Sequence, residues 1–128
     1  MQRHPRRLAI LAGSFGFFVL LSAATQVPKF PGGVFKATYN TNSLALDFDS
    51  TGALNVSVDN QAYGQSTWQV KADTITFGAV TGPEGNACPS SASYLWSFLD
   101  NRLSFTAVGT DDCSPRRDPL LGLVWTRG

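Results

Sequence analysis

The sequence predicts an all-β fold, an eight-stranded antiparallel up-and-down barrel. Short segments of alternating apolar and polar residues recur from residue 33 to residue 127. Turn-forming residues separate them, and no helical segment is predicted between them.

The predicted strands are Val34–Tyr39, Leu44–Phe48, Ala53–Val58, Ser66–Val70, Thr74–Ala79, Ala92–Leu99, Arg102–Val108 and Leu121–Thr126. In the second, Leu44, Leu46 and Phe48 alternate with Ala45 and Asp47. In the third, Leu54, Val56 and Val58 alternate with Asn55 and Ser57. Ile75 and Phe77 in the fifth, and Leu103, Phe105 and Ala107 in the seventh, follow the same rule. A period of two with one polar face marks a sheet buried on one side. In the sixth, Tyr94, Trp96 and Phe98 share a face, while Leu95 and Leu99 make the opposite face less polar.

The links are short. Asp49-Ser50-Thr51-Gly52 ends in glycine, and Asp59-Asn60 and Asp100-Asn101 tolerate left-handed backbone. Lys71-Ala72-Asp73 is a further short connection. Such links make consecutive strands neighbours, hence the up-and-down order. The two longer connections, Val80–Ser91 and Gly109–Pro119, each hold one cysteine.

Ahead of the barrel lies an export signal. Arg3, Arg6 and Arg7 precede the apolar run Leu8–Leu21, and Ser22-Ala23-Ala24 offers small residues for cleavage before Thr25. This is the organisation of a secretory signal peptide. Its alternative is an uncleaved signal anchor reaching to about Val27, although the run is short for a span of about 20 residues. The expected organisation is therefore a signal peptide over 1–24, a linker over 25–32 and the barrel domain over 33–128, in a secreted or periplasmic protein. Cleavage removes three of ten basic residues and none of nine acids, turning a net charge of +1 into −2. It also removes His4, the one histidine. With no basic patch, nucleic acid is not an expected partner. Stable membrane insertion is not expected once the signal is cleaved.

Cys88 and Cys113 are the only cysteines. In an exported chain this pair is expected to be a disulfide. Two isolated cysteines without histidine make a poor metal site, so neither metal nor cofactor is expected. A Ser-His-Asp or Cys-His arrangement is impossible without histidine, and no catalytic residue is assigned. Asp111 and Asp112 are the adjacent acid pair, close to Arg116, Arg117 and Asp118. They read as a solvated charge cluster that pins the loop beside the disulfide.

Several segments together form a recognisable pattern. Asp73-Thr74-Ile75-Thr76-Phe77 leads to a cysteine-containing loop, then to Tyr94-Leu95-Trp96-Ser97-Phe98 and Asn101-Arg102-Leu103-Ser104-Phe105-Thr106. Asp111-Asp112-Cys113-Ser114-Pro115-Arg116-Arg117 and a final Trp125-Thr126-Arg127 complete it. Over about residues 33 to 127 the chain resembles the small secreted lipocalin-like, calycin-type domains of bacteria, most without an assigned function. Lipocalins open on Gly-x-Trp and place an Arg near the end of the last strand, where it stacks across the Trp and closes the floor. Gly33-Val34-Phe35 matches the first element with Phe for Trp, and Arg127 matches the second. The resemblance implies that the first and last strands pair, with Arg127 near Phe35 or Trp125. The flanking lipocalin helix has no evident counterpart in the sequence.

The aromatic residues Phe48, Trp68, Phe77, Tyr94, Trp96, Phe98 and Phe105 fall on the predicted inner face. Trp68, Tyr94, Trp96 and Phe105 are expected to border whatever cavity exists. These rings either fill a small barrel solidly or line a pocket for a small apolar ligand. The leading expectation is a secreted binder of such a ligand. The alternatives are a solid-core structural or interaction module and, further off, an enzyme using Tyr94 or an inward acid for proton transfer.

Overall fold

The computed structural model describes residues 29–82 and 85–128. The strands among them are β1 (Gly33–Tyr39), β2 (Asn42–Phe48), β3 (Ala53–Val58), β4 (Gln61–Lys71), β5 (Thr74–Phe77), β6 (Val80–Gly82), β7 (Gly85–Cys88), β8 (Ala92–Leu99), β9 (Arg102–Ala107) and β10 (Trp125–Arg127). One helix, α1 (Ser114–Gly122), stands between β9 and β10. The expected signal peptide and the first part of the expected linker lie outside the described residues. Among those described, no helix is long and apolar enough to cross a membrane.

Eight of the strands close a ring in the order β1-β2-β3-β4-β5-β8-β9-β10 and back to β1. Every neighbouring pair is antiparallel. The fold is thus the up-and-down barrel expected from the alternation. The turns behave as their residues require. Asp59, Asn60, Asp100 and Asn101 all have positive φ, from 51° to 67°. Primed turns of this kind match the right-handed twist of the strands they join.

The structure corrects two parts of the sequence reading. The connection Val80–Ser91 is not a plain loop. β5 breaks at Gly78-Ala79, and the chain continues along β4 as β6, which pairs back onto β7. The break needs glycine: a Cβ at Gly78 would collide with the Thr67 side chain, and the Gly78 N–H bonds the Thr67 carbonyl at 3.0 Å. The second correction is α1, placed where a loop and the strand Leu121–Thr126 were expected. Pro115 sits in its first turn, where a missing N–H costs nothing. Pro119 lies within it, and its buried residues are Arg116 and Leu120, four apart on one face. Two prolines and one buried charge give no apolar helical period, so periodicity could not reveal it. The last strand is consequently only Trp125–Arg127.

One end of the barrel is sealed. Phe30, from the segment read as a linker, crosses this floor with its ring 5.0–5.3 Å from those of Phe48, Trp68 and Trp96. Trp68 Nε1 donates to the Asp49 and Ala53 carbonyls, and Trp96 Nε1 to that of Ala72, so both indoles also hold floor turns. Phe48, Phe77, Tyr94 and Phe105 continue the aromatic packing upward, edge-on among Phe77, Tyr94 and Phe105. At the seam, Phe35 pairs with Arg127, whose guanidinium lies 5.0 Å from the Phe35 ring and 5.5 Å from that of Phe98. The same side chain donates to the Gly32 carbonyl.

The open end carries α1 and the disulfide Cys88–Cys113, with a Cα–Cα distance of 5.6 Å. It joins the end of β7 to the residue that begins the helix.

Two stability predictions arise from this packing. The Cys88→Ser/Cys113→Ser double variant should lose about 3.5 kcal/mol from the entropy of a 25-residue loop, measured by denaturant unfolding. Trp96→Ala should lose about 3–5 kcal/mol by the same measurement, because its ring fills the sealed floor. A Trp96→Ala loss below about 1 kcal/mol would show that the floor is loosely packed.

Candidate ligand-binding cavity

Above the aromatic floor the interior opens into a cavity of about 390 Å³. Its walls follow the strand alternation: Leu44 and Leu46 from β2, Leu54, Val56 and Val58 from β3, Phe77 from β5 and Trp125 from β10. Its mouth is bordered by Tyr39, Asn42 and Tyr63 near the strand ends. Val80, Ala87 and Cys88 contribute from the β6–β7 hairpin, and Pro115, Arg116, Pro119 and Leu120 from α1. The helix therefore partly covers the mouth.

A buried polar latch holds the helix there. Arg116 and Asp111 are only 8 % and 7 % exposed. Arg116 grips the carboxylate with two atoms, Nε to Oδ2 at 2.8 Å and NH2 to Oδ1 at 2.8 Å. Its NH1 donates to the carbonyls of Gly78, at 3.1 Å, and Ser90, at 2.9 Å. One side chain thus ties α1 to the end of β5 and to the approach to β8. The carboxylate also accepts from the Tyr94 hydroxyl and from the Cys113 N–H. Arg117 adds a hydrogen bond to the Asp111 carbonyl, while its ion pair with Asp118 is exposed and contributes little. The acid–base cluster read as solvated is therefore buried in its decisive half. The loop folds inward because the disulfide and the Tyr94 hydroxyl meet it there.

The electrostatics follow from this burial. Desolvation alone would raise the Asp111 carboxyl; the hydrogen bonds from Arg116, Tyr94 and Cys113, with the Arg116 charge, outweigh it and hold the group at about 2. Burial, then the hydrogen bond to Asp111, pushes the Tyr94 hydroxyl upward. The bond to Asp111 raises Arg116. Tyr94 is thus a protonated donor and Asp111 a charged acceptor.

The seven aromatic residues singled out in the sequence divide between two roles. Phe77 lines the cavity. Phe48, Trp68, Trp96, Phe98 and Phe105 pack against other rings below it, and Tyr94 turns its hydroxyl to the latch. Trp68, Tyr94, Trp96 and Phe105 do not border the cavity as expected, because neighbouring rings and Phe30 occupy the space. The aliphatic wall was present in the alternation: Leu44, Leu46, Leu54, Val56 and Val58 were all on the inner face. Size drew attention to the rings, whereas unfilled space lies where the inward side chains are smaller. Of the lid residues, the sequence marks Arg116 within a charge cluster and Cys88 within the disulfide, but neither as part of a cavity.

Asp111 makes the latch sensitive to acid. Its folded value of about 2 lies below its ordinary 3.8, so its stabilisation is complete above about pH 4 and disappears as pH falls through about 2. The difference corresponds to about 2 kcal/mol. The wild type should lose this increment between pH 5 and 2 in denaturant unfolding, whereas Asp111→Asn should lack that part of the pH dependence. Parallel pH profiles for the two proteins would refute the assignment.

No family model, curated protein or solved structure matches the chain significantly. The closed eight-stranded antiparallel barrel is itself consistent with a lipocalin-like fold.

Proposed function

We propose that this chain is a secreted, lipocalin-like barrel that binds a small apolar molecule in its interior. The cavity of about 390 Å³, walled by aliphatic side chains beneath a helix, is the observation that carries this reading. Its size falls in the range of small-molecule sites, about 300–1,000 Å³. A domain this small needs most of its large side chains for its core. Here the rings are concentrated at the floor, leaving the other half free for a guest. The signal-peptide pattern and the disulfide support export.

The protein acts by binding, without metal or cofactor. The buried acid Asp111 is committed to Arg116 and Tyr94, which disfavours either Asp111 or Tyr94 as a proton-transfer group. The net charge of −2 after signal cleavage supports neither nucleic acid nor an anionic membrane as a partner.

Titration with an apolar fluorescent dye tests the reading. The wild type should bind with saturable fluorescence enhancement. Val56→Phe, which fills the cavity away from the floor, should weaken binding about tenfold or more with little change in thermal midpoint. Absence of dye binding by the wild type would leave a structural or interaction module in its place.

A further inference from the structure

The ladders of the described strands shift register at two places, and each shift delivers its extra residue to the cavity. Between β3 and β4, Ser57 pairs with Ala62 and Val56 with Gly64, which leaves Tyr63 without a partner. Between β6 and β7, Val80 pairs with Cys88 and Thr81 with Asn86, which leaves Ala87 without one. Tyr63 and Ala87 both line the cavity. Strict alternation from Gly64, Ser66 and Trp68, which face inward, would turn Tyr63 to the outer face. The bulge re-aims it. Its backbone is also firmly seated. A Cβ on Gly64 would stand 3.1 Å from the Val80 side chain, and one on Gly82 only 2.5 Å from the Tyr63 carbonyl, so the β6–β7 hairpin lies directly against the bulge. Tyr63 is thus a ring 49 % exposed on a fixed backbone. Tyr39 and Asn42 complete the rim. They pair across the β1–β2 turn, and alternation with Phe35 and with Leu44 turns both inward at the mouth.

The rim formed in this way is neutral and amphipathic. A tyrosine presents an apolar ring with a hydroxyl at its tip, and asparagine both donates and accepts hydrogen bonds. The charged lining residues are already paired, Arg116 with Asp111 and Asp118 with Arg117. A charged head group would meet no uncommitted counter-charge among the lining residues, and it would give up part of its hydration on entering the mouth. A hydroxyl-bearing head both donates and accepts, as the rim does, and its C–H faces pack on the rings. Deeper in the cavity, Leu44, Leu46 and Leu54 offer apolar contact alone. We infer that Tyr63, Tyr39 and Asn42 form a recognition rim, and that the ligand is an amphiphile with a neutral, hydroxyl-bearing head at this rim and an apolar tail in the cavity. This rests on the binding function proposed above and specifies its ligand class.

Displacement of the bound apolar dye by octyl glucoside, octanoate and octylammonium, each below its micellar concentration at neutral pH, tests the inference. The three share a tail and differ in the head. The glucoside should bind about three- to tenfold more tightly than either ion, the worth of ring contacts at the rim. Tyr63→Ala should reduce that preference about threefold or more. In nuclear Overhauser spectra of the wild type, the sugar protons should contact the Tyr39 and Tyr63 rings and the terminal methyl should contact the leucines below, a readout independent of any variant's folding. Binding of octanoate or octylammonium as tight as that of the glucoside would overturn the neutral head. A preference unchanged in Tyr63→Ala, or sugar protons remote from both rings, would overturn the rim. Saturable dye binding that none of the three displaces would overturn this inference and leave the binding function standing. Failure of the dye and of all three amphiphiles to bind would remove both.

Discussion

The barrel depends on a strand of three residues. Trp125–Arg127 pairs with β9 on one side and β1 on the other, closing the ring. Two registered pairs, Phe35 with Arg127 and Lys36 with Thr126, carry the seam to β1. A backbone bond from Gly128 N to Val34 O extends it, and one from Arg127 N to Asn101 O extends the pairing on the β9 side. So short a strand contributes few ladder bonds, and the side chains reinforce it. The Trp125 ring is buried, and Arg127 spans two aromatic faces and the Gly32 carbonyl. Without this seam the first and ninth strands would present open edges, which invite pairing with other chains.

Closure divides the interior into two chemical zones. At the floor, aromatic rings meet edge-on and the Trp68 and Trp96 N–H groups are spent on turn carbonyls. This arrangement provides rigidity and uses little of the upper interior. In the upper zone, Leu and Val side chains are too small to meet across the barrel. A disulfide and an ion pair position a helix over the opening there. A buried ion pair is a poor source of net stability compared with apolar packing, but removing one partner is severe. Its geometric effect is clearer: Arg116 reaches carbonyls on two separate segments and so fixes where the lid rests.

The barrel was legible in the sequence because alternation and turn chemistry are local signals. Leu44, Leu46 and Phe48 reveal their face without knowledge of any neighbour. Asp59-Asn60 and Asp100-Asn101 disclose tight hairpins by their backbone tolerance alone. The disulfide was legible from the cysteine count together with the expected export signal. The cavity was less so, because a void is a property of facing side chains and not of one strand. The helix was hidden for a related reason. Ser114–Gly122 is stabilised by Arg116 reaching Asp111 and by the link at Cys113, contacts that its own composition does not encode. Phe30 was hidden among Pro31 and Gly32, whose turn character masked the ring that seals the floor.

The seam between Gly32 and Arg127 joins residues 95 positions apart. Nearly the whole domain must therefore be ordered before its first strand meets its last. Contacts of such separation slow folding, since loop-closure entropy precedes the reward. The hairpins β1–β2, β3–β4 and β8–β9 can form locally, each by a tight turn. The seam cannot, and α1 lies directly before it in the chain. The rate-limiting event is thus expected to be the docking of the last fifteen or so residues, helix and strand together. In an oxidising compartment, the Cys88–Cys113 bond shortens that search by anchoring the start of the helix at the rim. The same bond that holds the finished lid would guide the closing strand towards its place.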